Sequence, residues 1–350
     1  MSGKALHYFA GDHTAKGFYQ LYESNFSQLN HAVSLKSKLK STKSIIMQQI
    51  ADDWLSKGDD VEFIHSSSFL DGLDGVINSN LQRGVYDGDL VHAGFEGEVK
   101  TYHIDHECFQ QDLEINPNQE KMYEYFQKAQ DSFEKGLDIH DGLEEIYINQ
   151  MNFDQANQVT NRLITEIFQH TKYQQRQQST KHRFFGASTA KGVIDFIPNL
   201  TDGLNKRYLI KGRAGTGKST LLKKVAREAE NKGYDVEVYH CGFDPESIDM
   251  VVIRQLSTCL FDSTDPHEYF PEQDGDVIVD LYRETVAPGT DEKFAKAIEI
   301  LTNHYKGYMK IGAGYLFEAN KIHLDWEERY TTCLDDKKIA EFIDKFHHSS

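Results

Sequence analysis

With 350 residues, 39% of them hydrophobic and 27% charged, the chain has the make-up of a globular protein and the length of two ordinary domains. Its net charge of −17 argues against general nucleic-acid binding, which needs a basic surface. Cys108, Cys241, Cys259 and Cys333 form no CxxC pair, which argues against a disulfide framework. The apolar runs fall far short of the roughly 20 residues that span a bilayer. Residues 1–10 lack a signal-peptide core, so a cytoplasmic protein without a membrane partner is expected.

The chain reads as one unit written twice. Laid over itself so that His7 meets His182, HYFAGDHTAKG at 7–17 covers HRFFGASTAKG at 182–192, and KGDDVE at 57–62 covers KGYDVE at 232–237. His65, Asp74, Asp87 and His92 fall on His240, Asp249, Asp262 and His267 without a gap. An ungapped register this long signals duplication. Further on, Ile139, His140, Glu144 and Tyr147 pair with Ile322, His323, Glu327 and Tyr330, after a short insertion. The boundaries follow: residues 1–172 form one domain, 173–181 (YQQRQQSTK) a linker, and 182–350 the second domain.

In the first half, helices are predicted over 118–149 and 153–170. In the second, strands are predicted over 207–211, 236–241 and 257–261, and a helix over 219–231, where Leu221, Leu222, Val225, Ala226 and Ala229 have helical spacing. Asp244-Pro245-Glu246-Ser247 has turn chemistry. A long helical stretch over 291–330 and a shorter helix over 336–346 follow. Alternating strands and helices predict an α/β fold: two tandem three-layer domains with parallel sheets, each with a helical insertion beside the sheet.

Gly212-Arg213-Ala214-Gly215-Thr216-Gly217-Lys218-Ser219 fits G-x-x-x-x-G-K-[ST], between a predicted strand and a predicted helix. Glycines let the backbone turn its N–H groups inward on phosphate oxygens, and the helix start adds its positive dipole end. Lys218 is placed to reach the β- and γ-phosphates, Ser219 to offer a hydroxyl to Mg²⁺, and Thr220 to lie near the α-phosphate. Asp262, closing its strand, is the first candidate for an acidic Mg²⁺ partner, and Asp244 the next, as a residue facing water or an acceptor. Each has an ordinary alternative as a cap or turn residue. His240 and His267 recur as His65 and His92 in a half without this loop, which favours a structural role. Cys241 reads as a small buried residue, and Arg254 and Arg283 as surface ion-pair residues with a lesser claim on the γ-phosphate.

The first half has Ser37-Lys38-Leu39-Lys40-Ser41-Thr42-Lys43-Ser44 at the matching place. Lys43 and Ser44 remain, but Ser37, Lys40 and Thr42 replace the glycines, so weak or no nucleotide binding is expected. Lys36, Lys38, Lys40 and Lys43 leave an altered anion site, or a solvated basic face, as alternatives.

The second-half motif resembles the P-loop NTPase superfamily. The chain also resembles an uncharacterised bacterial family of tandem P-loop ATPases, through HRFFGASTAKG, KRYLIKGRAGTGKSTLLKK, YDVEVYHCGFDPESIDMVVI and FDSTDPHEYFP, and more weakly through GFYQLYESN and LDGVI in the first half. That family often has an intact loop in both halves, from which residues 37–44 depart. The resemblance implies ATP binding and names no substrate. The expectation is ATP with Mg²⁺, hydrolysed or used as a switch, with the first half a pseudo-NTPase partner. The alternatives are a nucleotide or small-metabolite kinase, and a nucleotide-dependent scaffold with negligible turnover. A protein partner or a second copy of the chain fits the switch reading. Guanine has no N/T-K-x-D motif here, which favours ATP over GTP.

Overall fold

The computed structural model describes residues 2–90, 98–109, 113–174, 178–330 and 334–348; His92 and Cys333 lie outside them. The first half runs β1 (Ala5–Phe9), β2 (Gly11–Thr14), β3 (Gly17–Gln20), α1 (Glu23–Phe26), β4 (His31–Lys36), α2 (Lys40–Lys57), β5 (Val61–His65), β6 (Leu73–Asn78), β7 (Arg83–Asp87), β8 (Glu98–His103), α3 (Asp105–Cys108), α4 (Gln119–Ile148) and α5 (Phe153–Phe168). The second repeats that order. It runs β9 (Thr180–Phe184), β10 (Gly186–Thr189), β11 (Gly192–Asp195), α6 (Ile197–Thr201), β12 (Lys206–Lys211), α7 (Lys218–Asn231), β13 (Val236–His240), β14 (Ile248–Ile253), β15 (Thr258–Asp262), β16 (Asp276–Asp280), α8 (Leu281–Thr285), α9 (Thr290–Glu327) and α10 (Asp336–His348).

The strands form one 12-stranded sheet in the order β16-β12-β15-β14-β13-β9-β1-β5-β6-β7-β4-β8, flanked by the small hairpins β2-β3 and β10-β11. Under the repeat, this order reads the same from either end. The fold is therefore α/β, as expected, but two expectations need correction. The halves share one sheet, joined where β1 meets β9 antiparallel at Phe9 and Phe184. The sheet is also mixed rather than parallel. β6 and β14 run antiparallel to both of their neighbours, whereas β4 and β12 pair in parallel on both sides. The connection from β13 to β14 is too short for a crossover, so the chain can only turn back.

Alternating residues send their side chains to opposite faces. Phe63 joins a core with α2, α3 and α10, while its neighbour Ile64 faces a second core lined by α1 and α6. Ile210 likewise faces α7 and α5, and Leu209 the opposite side. At the seam, fully buried Arg183 stacks on the Tyr8 ring at 4.0 Å and donates to Glu62 and to Asn25 of the first half. It also lies 3.5 Å from Glu237 of its own half. Removing one member of such a buried set would strand the others' charges.

The packing crosses the sequence boundary. Val159, Leu163 and Phe168 of α5 lie in the second half's core, and Ile339, Phe342 and Phe346 of α10 lie in the first half's. The helical insertions α4 and α9 pack antiparallel along one another. Gly142 approaches Leu301 at one end, Phe133 lies against Gly312 in the middle, and Tyr125 stacks near Tyr315 at the other. A Cβ on Gly312 would lie 2.3 Å from the Phe133 ring, so this approach needs glycine. Each long helix therefore carries its own half's chain over to the opposite half. No helix among the described residues is long and apolar enough to cross a membrane.

Candidate functional site: a phosphate loop covered by the other half

Residues 212–217 link β12 to α7. Gly215 and Gly217 have φ of +72° and +83°, which side-chain-bearing residues rarely adopt. Thr216 folds the loop on itself, its Oγ1 donating to the Arg213 carbonyl at 2.8 Å. Lys218 Nζ bends over the loop and donates to that same carbonyl at 2.8 Å, with Asp262 at 3.6 Å. Ser219 Oγ accepts from the Ile248 amide at 2.9 Å, which fixes the first turn of α7 to the start of β14. Arg213 reaches away to Asp291 at 2.8 Å, and Thr220 is exposed.

Asp262 ends β15, next to β12 in the sheet. Because β14 runs antiparallel beside β15, its first residues lie at the same sheet end, and Asp249 joins Asp262 there. Burial, and then the neighbouring Asp262 charge, push the Asp249 carboxyl up to about 7. Two carboxylates beside Lys218 and Ser219 make an oxygen-rich corner short of positive charge. Among the described residues, no three His, Cys, Asp or Glu side chains converge as a metal cage. The corner suits an ion that shares its coordination with phosphate oxygens and water, as Mg²⁺ does. Asp249 was visible in the sequence only as the repeat of Asp74.

The first-half loop has a different form. Without glycines the backbone winds into helix, and α2 starts at Lys40, the counterpart of Gly215, whereas α7 starts at Lys218, the counterpart of Lys43. Lys40 Nζ lies 2.6 Å from Asp74 and 2.8 Å from Asp87, and Lys43 Nζ lies 2.6 Å from Asp87 and 2.8 Å from Asp89. Lys40 and Lys43 are buried in an ion network rather than open to an anion, while Lys36 is half-buried and Lys38 exposed. Burial alone would raise Asp87, but Lys40 and Lys43 outweigh it and hold its carboxyl at about 2. The Ser41 amide donates at 3.1 Å to the Glu327 carboxylate, which α9 brings from the second half.

The second-half loop has the mirror arrangement. The end of α4, from the first half, lies against it. The Glu144 carbonyl oxygen would be 2.6 Å from a Cβ on Gly215, and Ile148 Cγ1 3.0 Å. The Gly215 amide also approaches the Glu144 carboxylate. Burial and then Asp141 raise the Glu144 carboxyl, against the opposing pull of Lys218 and that amide. His140 sits one turn earlier, Nδ1 3.8 Å from Glu144, and His323 Nε2 lies 3.3 Å from Glu327. The repeated His-x-x-x-Glu spacing was present in the sequence. What it could not reveal is that each copy serves the opposite half.

Asp244 closes the β13–β14 turn, accepting from Ser247 Oγ at 3.0 Å and the Glu246 amide at 3.3 Å. It also meets Lys16 of the first half at 3.3 Å. Its charge is felt by His140 and Glu144, while no direct bond joins it to the loop. Arg254 stands at the far end of β14, bound to Glu237 at 2.6 Å, because the strand's antiparallel course carries it away from the loop. Arg283 is exposed on α8. His240 pairs with His182 at 2.8 Å and His65 with His7 at 2.9 Å, while His267 meets Asp195 at 2.8 Å. Burial pushes the Cys241 thiol well up, as for an inert side chain. Compared with known proteins, the chain matches no family model, no curated protein and no solved structure.

Proposed function

We propose that the second half binds ATP with Mg²⁺ and hydrolyses it, or is switched by it, while the first half is a pseudo-NTPase partner that takes no nucleotide. The observation that carries this reading is the Asp249–Asp262 pair set beside Lys218 and Ser219 at the mouth of a loop bent by two left-handed glycines. Gly212, Ala214, Gly215 and Gly217 would present backbone N–H groups to the phosphates. Lys218 would leave the Arg213 carbonyl to neutralise the β- and γ-oxygens, and Ser219 and Asp262 would hold the Mg²⁺. The bound ion would supply charge neutralisation on the γ-phosphoryl group. Asp249, a proton acceptor once a cation offsets its neighbour's charge, would orient water. The shared sheet and the crossed helices favour a switch over an isolated hydrolase, since a change at the loop meets chain from the other half.

The test is phosphate release by purified protein with Mg²⁺ and ATP, beside Lys218→Ala, with products followed with and without a metabolite pool. Steady release by wild type alone, reduced at least about 100-fold in Lys218→Ala, is expected. ADP formed only when the pool is present would replace this reading with a kinase. Tight binding without turnover would replace it with a scaffold.

A further inference from the structure

We infer that the last two turns of α4, contributed by the first half, are a built-in lid on the second half's phosphate loop. The Glu144 carboxylate takes the seat of a nucleotide phosphate and must be expelled for binding. This rests on the nucleotide reading above and adds its regulation.

Three observations support the lid. The first is direct packing on the loop backbone. Glu144 and Ile148 approach Gly215 so closely that no Cβ would fit, and Met151 Cε lies 3.7 Å from where a Cβ on Gly217 would stand. The second is chemical. The Gly215 amide, one of the donors a P-loop offers to phosphate, lies close enough to the Glu144 carboxylate to favour its charge, as does Lys218. The third is internal precedent. At the matching place in the first half, Glu327 accepts from the Ser41 amide, so the fold already seats a carboxylate from the opposite half on one of the two loops.

The lid is also tied down beyond its working end. Tyr147 donates to Asp291 at 3.0 Å, and Arg213 of the loop holds the other oxygen of that carboxylate. Met151 bridges to Val286, and the Asn152 amide donates to the Thr285 carbonyl at 2.7 Å. Movement of residues 140–148 therefore acts on α9 through Asp291, and α9 ends at Glu327 on the first half's loop. If the open state is the minor one, apparent affinity is reduced by its fraction.

The experiment compares wild type, Glu144→Gln and Ile148→Ala. Calorimetry with Mg²⁺–ADP and with a non-hydrolysable ATP analogue reads affinity, and amide hydrogen exchange of the nucleotide-free proteins reads the lid. Glu144→Gln keeps the shape and removes the charge; Ile148→Ala removes packing from an exposed position that the fold tolerates. Both variants are expected to bind about tenfold more tightly, with faster exchange over 140–152 and 212–220. Unchanged or weaker affinity in a protein that does bind nucleotide overturns the lid alone. So does a fall in turnover at unchanged affinity, which would assign Glu144 to the chemistry. Absence of binding in all three overturns the nucleotide reading, and the lid with it.

Discussion

The two loops carry the same lysine, the same serine and the same pair of aspartates, yet two buried lysines bridge the first pair while the second has only Lys218, 3.6 Å from Asp262. In the first half, Lys40 stands between Asp74 and Asp87, and Lys43 between Asp87 and Asp89. In the second half, Gly215 stands where Lys40 would, and Asp249 is left with a raised carboxyl beside Asp262. A single glycine-to-lysine difference thus does two things. It removes a left-handed position the phosphate nest needs, and it delivers an ammonium to the corner a metal would fill. In the first-half loop a carboxylate, Glu327, meets the Ser41 amide and an ammonium, Lys40, stands between the aspartates. In the second-half loop Glu144 packs on Gly215 and no lysine stands where Lys40 does, so the ammonium between the aspartates is the difference between the two.

The largest effect should come from separating the halves, because packing crosses the repeat boundary. Fragment 182–350 keeps the loop but loses α5. Burying Val159, Leu163 and Phe168 is worth about 2 kcal/mol each, and that sum rivals the whole stability of a typical domain. Expressed alone, neither 1–172 nor 182–350 should unfold cooperatively in urea; co-expressed, they should reassemble into one particle. A fragment 182–350 that is monomeric and cooperatively folded would show that the exchanged helices are dispensable.

The next contrast is between matched lysines. Lys40→Met leaves Asp74 and part of Asp87 buried without a counter-charge, and should cost about 3 kcal/mol, somewhat eased by Lys43. Lys218→Met removes one carbonyl bond and a 3.6 Å contact from a partly exposed corner, at a cost of about 1 kcal/mol. Function should respond the other way: turnover lost with Lys218→Met and kept with Lys40→Met. Urea midpoints of the two variants check the ranking, and equal costs would mean that the first-half network is not structural.

These contrasts also mark what was legible in the sequence. The glycine loop between a strand and a helix, the repeated order of elements and the long helices could be read directly, because glycine spacing, an ungapped repeat and helical periodicity are local signals. β6 and β14 were missed, since an apolar run after a turn does not announce its direction. The continuous sheet and the exchange of α4 with α9 were missed for a deeper reason. A helix's apolar stripe says that it packs, and nothing in His140-x-x-x-Glu144 says on which half. Asp249 was passed over because the acidic partner was sought at the end of a parallel strand; an antiparallel strand brings its beginning to the site instead.

The smallest predicted effect has opposite signs in the two corners. Asp87, held at about 2, contributes stability that is present above its unfolded value near 4 and is lost as pH falls through 2. Asp249, raised to about 7, binds a proton in the fold that the unfolded chain has already released. Asp249 should therefore take stability from the metal-free protein as pH rises from about 4 to about 7, while buried histidines such as His13 and His65, lowered to about 3 and about 4, add to it, so the Asp249 share is read as the difference between wild type and Asp249→Asn. The full linkage for such a shift is about 4 kcal/mol. Asp249 is only half-buried and Asp262 is reached by solvent, so about 1–2 kcal/mol is the expected share. Asp249→Asn cannot ionise and should flatten this slope, making the metal-free variant more stable than wild type at pH 8. Added Mg²⁺ with ADP should restore wild type alone, because only an ionised pair rewards a cation. Thermal unfolding at pH 5 and pH 8, with and without Mg²⁺–ADP, reads both arms. Stability that changes in parallel in wild type and Asp249→Asn from pH 5 to pH 8 would mean that the acidic corner is already neutralised by the fold, as it is in the first half.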